Sequence, residues 1–285
     1  MMKLLVITLS LLASLAGCAV PQDQNVPNRA ELLQEPITRR AYYLYVSSQY
    51  NRNRPAPVII SLQGTAPYDT ADGQVREWKK LAEDHGAILV CPTLKSSDGI
   101  LTSGDGTLLV QLLEDERFVL TILGELHYKY NIDRRNIFLT CWSGGGYPLY
   151  FIGLRHPDIF AAMVARQATF RQSAIDGWYP ETAKRIPVLV FHGTMDFVPI
   201  QSQTREAAAY LKAQGFREVS LTTTDGGHTR HPEVAMDFFL RHWSAGLYVR
   251  GPNSPHLAAM DWQYRGNNQY TSSGQYTNGN SARTP

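Results

Sequence analysis

Short apolar runs alternate along this chain with longer amphipathic stretches, and that alternation restricts the fold more than any other feature of the sequence. Residues 57–62 (PVIISL), 87–92 (AILVCP) and 136–141 (NIFLTC) read as strands, the first of them strongly buried. Residues 74–85 place Val75, Trp78, Leu81 and Ala82 on one helical face and stop at Gly86, and a second helix is expected over 114–130. A third should follow the glycine cluster at 144–146 and run to about Arg155. Such a succession predicts βαβ units and a mainly parallel central sheet flanked by helices. An early strand at 41–46, later strands at 161–165, 187–191 and 218–223, and a closing helix at 232–243 complete the pattern. No repeat of fixed period is visible.

The chain has 285 residues, 44% of them hydrophobic and 18% charged, which suits one domain over 41–250 with a single core. Lysine and arginine total 27 against 25 acidic residues, without a block of like charge, so no nucleic-acid partner is implied. The N-terminus carries an address. Lys3 precedes an apolar run over 4–16 that is too short to span a bilayer, and 1–17 reads as a secretory signal peptide. Leu15-Ala16-Gly17-Cys18 resembles the bacterial lipobox. That resemblance implies acylation of Cys18, attachment to the membrane through its lipid, and residence in the bacterial cell envelope, in the outer membrane or facing the periplasm. An ordinary cleaved signal followed by a chance cysteine is the alternative. Residues 18–40, with Pro21, Pro27 and Pro36, read as a tether, and the polar stretch 251–285 as a disordered tail.

The chemistry concentrates at three strand ends. A buried strand, then Cys141-Trp142-Ser143-Gly144-Gly145-Gly146, then a helix is the arrangement of a nucleophile elbow, in which small residues let the turn push the Ser143 hydroxyl above the sheet. Cys141 stands where the first glycine of G-x-S-x-G is usual. His192-Gly193-Thr194-Met195-Asp196 follows the strand at 187–191, and Asp225-Gly226-Gly227-His228 follows the next. Serine needs a base and the base an orienting carboxylate, so Ser143, Asp196 and His228, in that chain order, form a candidate triad. His192 precedes the acid and is read as structural; His231 is a weaker candidate base, and Asp225 an alternative acid too near His228 to orient it easily. The backbone N–H of Gly144 is one expected oxyanion donor, and that of Thr65, in the turn Gln63-Gly64-Thr65-Ala66, the second. No metal or organic cofactor is implied, since neither a metal-spaced His/Cys/Asp cluster nor a nucleotide loop is present in the sequence.

Over roughly 42–243 the chain resembles the secreted esterase and polyhydroxybutyrate-depolymerase-like, feruloyl-esterase-like branch of the α/β-hydrolases. The resemblance rests on Asp115-Glu116-Arg117-Phe118, the run 130–138 (YNIDRRNIF), Ser143-Gly144-Gly145-Gly146, the run 156–162 (HPDIFAA), His192-Gly193-Thr194-Met195-Asp196 and Gly226-Gly227-His228. It implies an α/β-hydrolase fold, a serine hydrolase cleaving carboxylic esters through an acyl-enzyme, and a small-molecule or polymer ester as substrate. A serine peptidase of the same fold and an inactive, membrane-tethered binding protein are the rivals. Family topology also implies that the strand at 58–62 lies between those carrying Cys91 and Cys141. The two thiols are then about 9–10 Å apart, beyond disulfide reach. Arg166, Arg171, Trp178 and Tyr179 are candidate pocket residues, with packing as their other reading.

Overall fold

A computed structural model describes residues 28–98 and 105–244. The signal peptide, Cys18, the tether as far as residue 27, residues 99–104, and the stretch from 245 that includes the tail lie outside the described residues.

Eight strands form one sheet: β1 (Glu31–Gln34), β2 (Ala41–Val46), β3 (Ala56–Leu62), β4 (Ile88–Pro92), β5 (Ile132–Trp142), β6 (Ala162–Arg166), β7 (Val188–Gly193) and β8 (Val219–Thr224). Their spatial order is β1-β2-β4-β3-β5-β6-β7-β8. From β4 onward every pairing is parallel, whereas β1 with β2 and β2 with β4 are antiparallel. The helices are α1 (Ala71–Asp84), α2 (Asp105–Lys129), α3 (Gly146–Arg155), α4 (Val198–Ala213) and α5 (Pro232–Arg241). The expected mainly parallel sheet flanked by helices is what the chain builds.

Neighbouring residues of a strand face opposite layers. Ile59 of β3 and Phe138 of β5 join Trp78 and Ala82 of α1 and Phe238 and Phe239 of α5 in one apolar cluster. On the other face α3 lies so close that a side chain at Gly153 would run into Leu139 and Met163. The strand carrying Cys91 is separated from that of Cys141 by β3, as the resemblance implied, and both thiols are free and buried.

Two sequence expectations need correction, and one helix had not been expected. Residues 31–34 of the supposed tether are an edge strand, with Glu31 opposite Leu44 and Gln34 opposite Ala41. Only Leu33 of the four is part-buried, so there was no alternation to read. Glu35, fully buried, closes the turn to β2 by accepting the N–H groups of Ile37 and Thr38. The helix expected over 114–130 begins at Asp105, because Leu108 and Leu112 extend its buried face. Helix α4 escaped the sequence reading altogether: its buried side is Ile200, Thr204, Ala207, Ala208 and Leu211, a helical spacing written largely in alanine and threonine.

Candidate active site

Strand β5 delivers Ser143 at its end, and α3 starts three residues later. Ser143 has φ +51°, a left-handed backbone that side-chain-bearing residues seldom adopt. The turn is fastened from the segment after β6, where Thr169 N–H donates to the Ser143 carbonyl at 2.9 Å. A side chain on Gly144 would collide with Thr65 Oγ1 and the Ser97 carbonyl, and would sit 3.1 Å from Thr65 N. Thr65 is fixed by donating its hydroxyl to the Ser97 carbonyl at 2.9 Å. The two backbone positions expected from sequence to donate N–H groups are therefore adjacent in space, and glycine at 144 is what permits the approach.

Asp196 and His228 come from the loops after β7 and β8. His228 Nδ1 lies 2.7 Å from Asp196 Oδ1, and both residues are 5% exposed. Asp196 is aligned by its own backbone, with Oδ1 accepting Phe197 N–H at 2.7 Å and Oδ2 accepting Gly193 N–H at 3.4 Å. The loops can meet because a side chain on Gly193 would strike the Gly226 and Gly227 carbonyls. With Nδ1–H donated to the carboxylate, Nε2 of His228 is left as a proton acceptor. The His228 ring lies between Trp142, at 4.7 Å between ring centroids, and Phe197, at 5.1 Å. Trp142 is the residue before Ser143, so the serine turn and the imidazole share a wall. No hydrogen bond joins Ser143 Oγ to His228 among the described residues; such bonds commonly close only when substrate is bound.

Each of the other sequence candidates has a structural partner or an exposed position. His192 donates Nδ1–H to the Gly193 carbonyl at 2.9 Å and faces Arg205 through Nε2. His231 caps α5 and faces Glu233 at 2.9 Å, while Asp225 is exposed. Arg166 lines no surface: it is fully buried and ion-paired with Glu77. Arg171 lies over Tyr147, Trp178 against Phe151, and Tyr179 bonds Tyr210, so these three pack rather than form a cluster. Burial pushes the Cys141 thiol up to about 12 and the Cys91 thiol well above its ordinary value, which leaves both as apolar side chains near neutral pH.

Sequence reasoning missed several residues around the site. Gln167, buried with φ +48°, donates Nε2–H to the Gly227 carbonyl and to Thr229 Oγ1. Arg230 lies 4.0 Å over the Trp142 ring. Asp69 accepts the Gly64 N–H at 2.7 Å. Of these, only Arg230 left a sequence signal, as a charge two residues after a candidate base and two before a helix.

No protein-family model matches the chain. A diacylglycerol kinase of Mycobacterium tuberculosis is 32% identical over 79 residues, 28% of this chain and 25% of that protein. The bifunctional acetylxylan esterase/xylanase XynS20E of Neocallimastix patriciarum is 23% identical over 171 residues, 56% of this chain and 22% of that protein. The chain thus spans about a quarter of the length of these curated relatives, and their names point to different chemistries. Among solved structures, the S-formylglutathione hydrolase FrmB of Staphylococcus aureus superposes with TM-score 0.56 at 15% identity, covering 79% of this chain and 99% of that one. A ferulic acid esterase of Anaeromyces mucronatus, in complex with ferulic acid, gives 0.55 at 14%, covering 79% and 93%. With the sheet order above, these likenesses show that the chain has the α/β-hydrolase fold, and the neighbours carrying it are ester hydrolases.

Proposed function

We propose that the chain is a serine hydrolase cleaving carboxylic esters. Ser143 Oγ attacks the ester carbonyl and passes its proton to His228 Nε2, which Asp196 holds in the accepting tautomer. The tetrahedral anion is met by the N–H groups of Gly144 and Thr65; the alcohol departs with the proton, and water then releases the acid by the same route. The carrying observation is the buried 2.7 Å pair of His228 and Asp196, set against the wall of a strand–serine–helix turn whose serine is held left-handed. The esterase and S-formylglutathione hydrolase neighbours support ester chemistry and suggest feruloyl and acetyl esters and S-formylglutathione as substrates to try, to which the sequence resemblance adds short polyester oligomers. The reading extends to a bacterial envelope protein tethered by lipid on Cys18, supported by the residues 15–18.

Hydrolysis of p-nitrophenyl esters of rising acyl length, methyl ferulate, acetylated xylan and an aminoacyl anilide tests the chemistry, with Ser143→Ala as partner. The variant is expected to lose at least about a thousandfold in turnover, in line with other triads. Undiminished ester cleavage by Ser143→Ala would sink the mechanism, and anilide cleavage exceeding ester cleavage would favour the peptidase. Incorporation of a labelled fatty acid into the wild type, lost in Cys18→Ala, checks the anchor.

A further inference from the structure

Four charged side chains are buried together beneath the loops that frame the candidate site: Asp69 and Arg166 at 0% exposure, Glu77 at 3% and Arg230 at 5%. Burying charge is expensive, and well-packed apolar residues often serve stability as well or better, so such a cluster is weak evidence for stability alone. Its wiring points elsewhere. Arg166 donates to Glu77, to Gln74 Oε1 at 2.8 Å and to the Arg230 carbonyl at 2.9 Å. Arg230 Nη1 donates to Asp69 Oδ1 at 2.9 Å and to Glu77 Oε2 at 3.1 Å.

Two members leave the cluster and touch the site's framework. Asp69 Oδ2 accepts from Gln74 Nε2 at 2.6 Å and from the backbone N–H of Gly64 at 2.7 Å. Turning the Gly64 N–H inward leaves the next one, that of Thr65, without an acceptor among the described residues and beside Gly144. At the other end, the Arg230 guanidinium lies 4.0 Å over the Trp142 ring, which lies 4.7 Å from the His228 ring. One ion pair thus reaches the expected anion donor through Asp69 and the expected base through Arg230 and Trp142.

We propose that Asp69 and Arg230 are positioning residues that set the Thr65 N–H and the His228 imidazole in one shared geometry. The inference rests on the reading of Ser143, His228 and Thr65 given above. A pair that merely tied the loop before α1 to the loop before α5 would affect stability only. A positioning pair acts on the transition state, where the anion exists and the proton moves, and leaves ground-state binding nearly unchanged.

The test uses the full-length chain with Asp69→Asn, Arg230→Lys and, as a control for lost buried charge, Glu116→Gln. Asparagine cannot replace Asp69, because one carbonyl oxygen cannot accept from Gly64, Gln74 and Arg230 together. Lysine keeps the charge of Arg230, and so the fold, but cannot lie flat on Trp142 while holding two carboxylates. Kinetics on p-nitrophenyl acetate, inhibition by an alkyl boronic acid that forms a tetrahedral anion on serine, and fluorophosphonate labelling are read side by side. For Asp69→Asn, kcat should fall about 10- to 100-fold, part of the loss seen when a whole oxyanion donor is removed, and boronate inhibition should weaken by a similar factor. KM should stay within about threefold. Arg230→Lys should show the same pattern more weakly, and Glu116→Gln should lower the melting temperature with kcat intact. Folded Asp69→Asn or Arg230→Lys with wild-type kcat and boronate affinity overturns the proposal; should Asp69→Asn fail to fold, Arg230→Lys decides. A wild-type chain that neither cleaves ester nor takes the fluorophosphonate overturns the underlying functional reading instead.

Discussion

Along α1, Gln74 and Glu77 are buried nearly as completely as Trp78 and Ala82, but their partners differ, and Trp78 marks the border, with the Arg166 guanidinium 5.2 Å over its ring. Trp78 packs 6.3 Å from the Phe239 ring, which stacks on Phe138 at 4.7 Å, and Ala82 belongs to the same apolar cluster. Glu77 instead meets two arginines, and Gln74 meets Arg166, Ser61 and Asp69. Dispersion and water exclusion hold the dry end, and they tolerate small shifts provided volume is conserved. Directional bonds hold the charged end, and they fix where two loops sit. Similar burial therefore conceals unequal duties: both ends keep the chain folded, but only the charged one also keeps it aimed.

Matched truncations put that contrast at risk. Phe239→Ala should cost about 3–5 kcal/mol, lowering the melting temperature by roughly 10 °C in calorimetry, with turnover per fluorophosphonate-titrated site unchanged. Glu77→Gln should cost a comparable amount, roughly 3–5 kcal/mol, by leaving Arg166 and Arg230 short of a counter-charge, and it should also lower turnover per titrated site. Equal turnover per site in the two variants would erase the distinction. A smaller step is Ile59→Val in the dry end, expected to cost about 0.5–1.5 kcal/mol in chemical denaturation and nothing in turnover.

The smallest effect tests charge away from the site. Burial alone would raise the Glu116 carboxyl, but bonds from His156 and Arg155 outweigh it and hold the group below its ordinary 4.5. A depressed folded-state value means that the stabilisation is complete above the unfolded value and lost as pH falls through the folded one. Melting temperatures of wild type and Glu116→Gln should therefore differ fully above pH 4.5 and converge in acid.

The same contrast explains what the sequence made legible. Val75, Trp78 and Ala82 declared α1 by their spacing, and the residues 58–62 and 137–141 declared central strands, because an apolar pattern is written in residue type. The candidates Ser143, Asp196 and His228 could be picked out because each follows a strand, Ser143 and His228 beside runs of glycine. Asp69, Glu77 and Arg166 carry no such mark: a buried charge and an exposed one are the same letter, and only the fold brings α1, β6 and the loop before α5 together. Helix α4 was overlooked for a related reason, since alanine and threonine on its inner side contrast too little with the polar side. Edge strand β1 owes its place to the turn made by Glu35, a carboxylate that the sequence presents as surface.

Ser143 occupies a backbone conformation that favours glycine, at a cost of about 1 kcal/mol for any residue with a side chain. Nothing in the stability of the sheet asks for a hydroxyl there, and Ser143→Gly would relieve the strain while removing the reactive oxygen. A lineage that stopped using the site would find drift at this position rewarded by a firmer fold. Serine at 143 thus stands against thermodynamic convenience, and the proposed chemistry gives the strain a use.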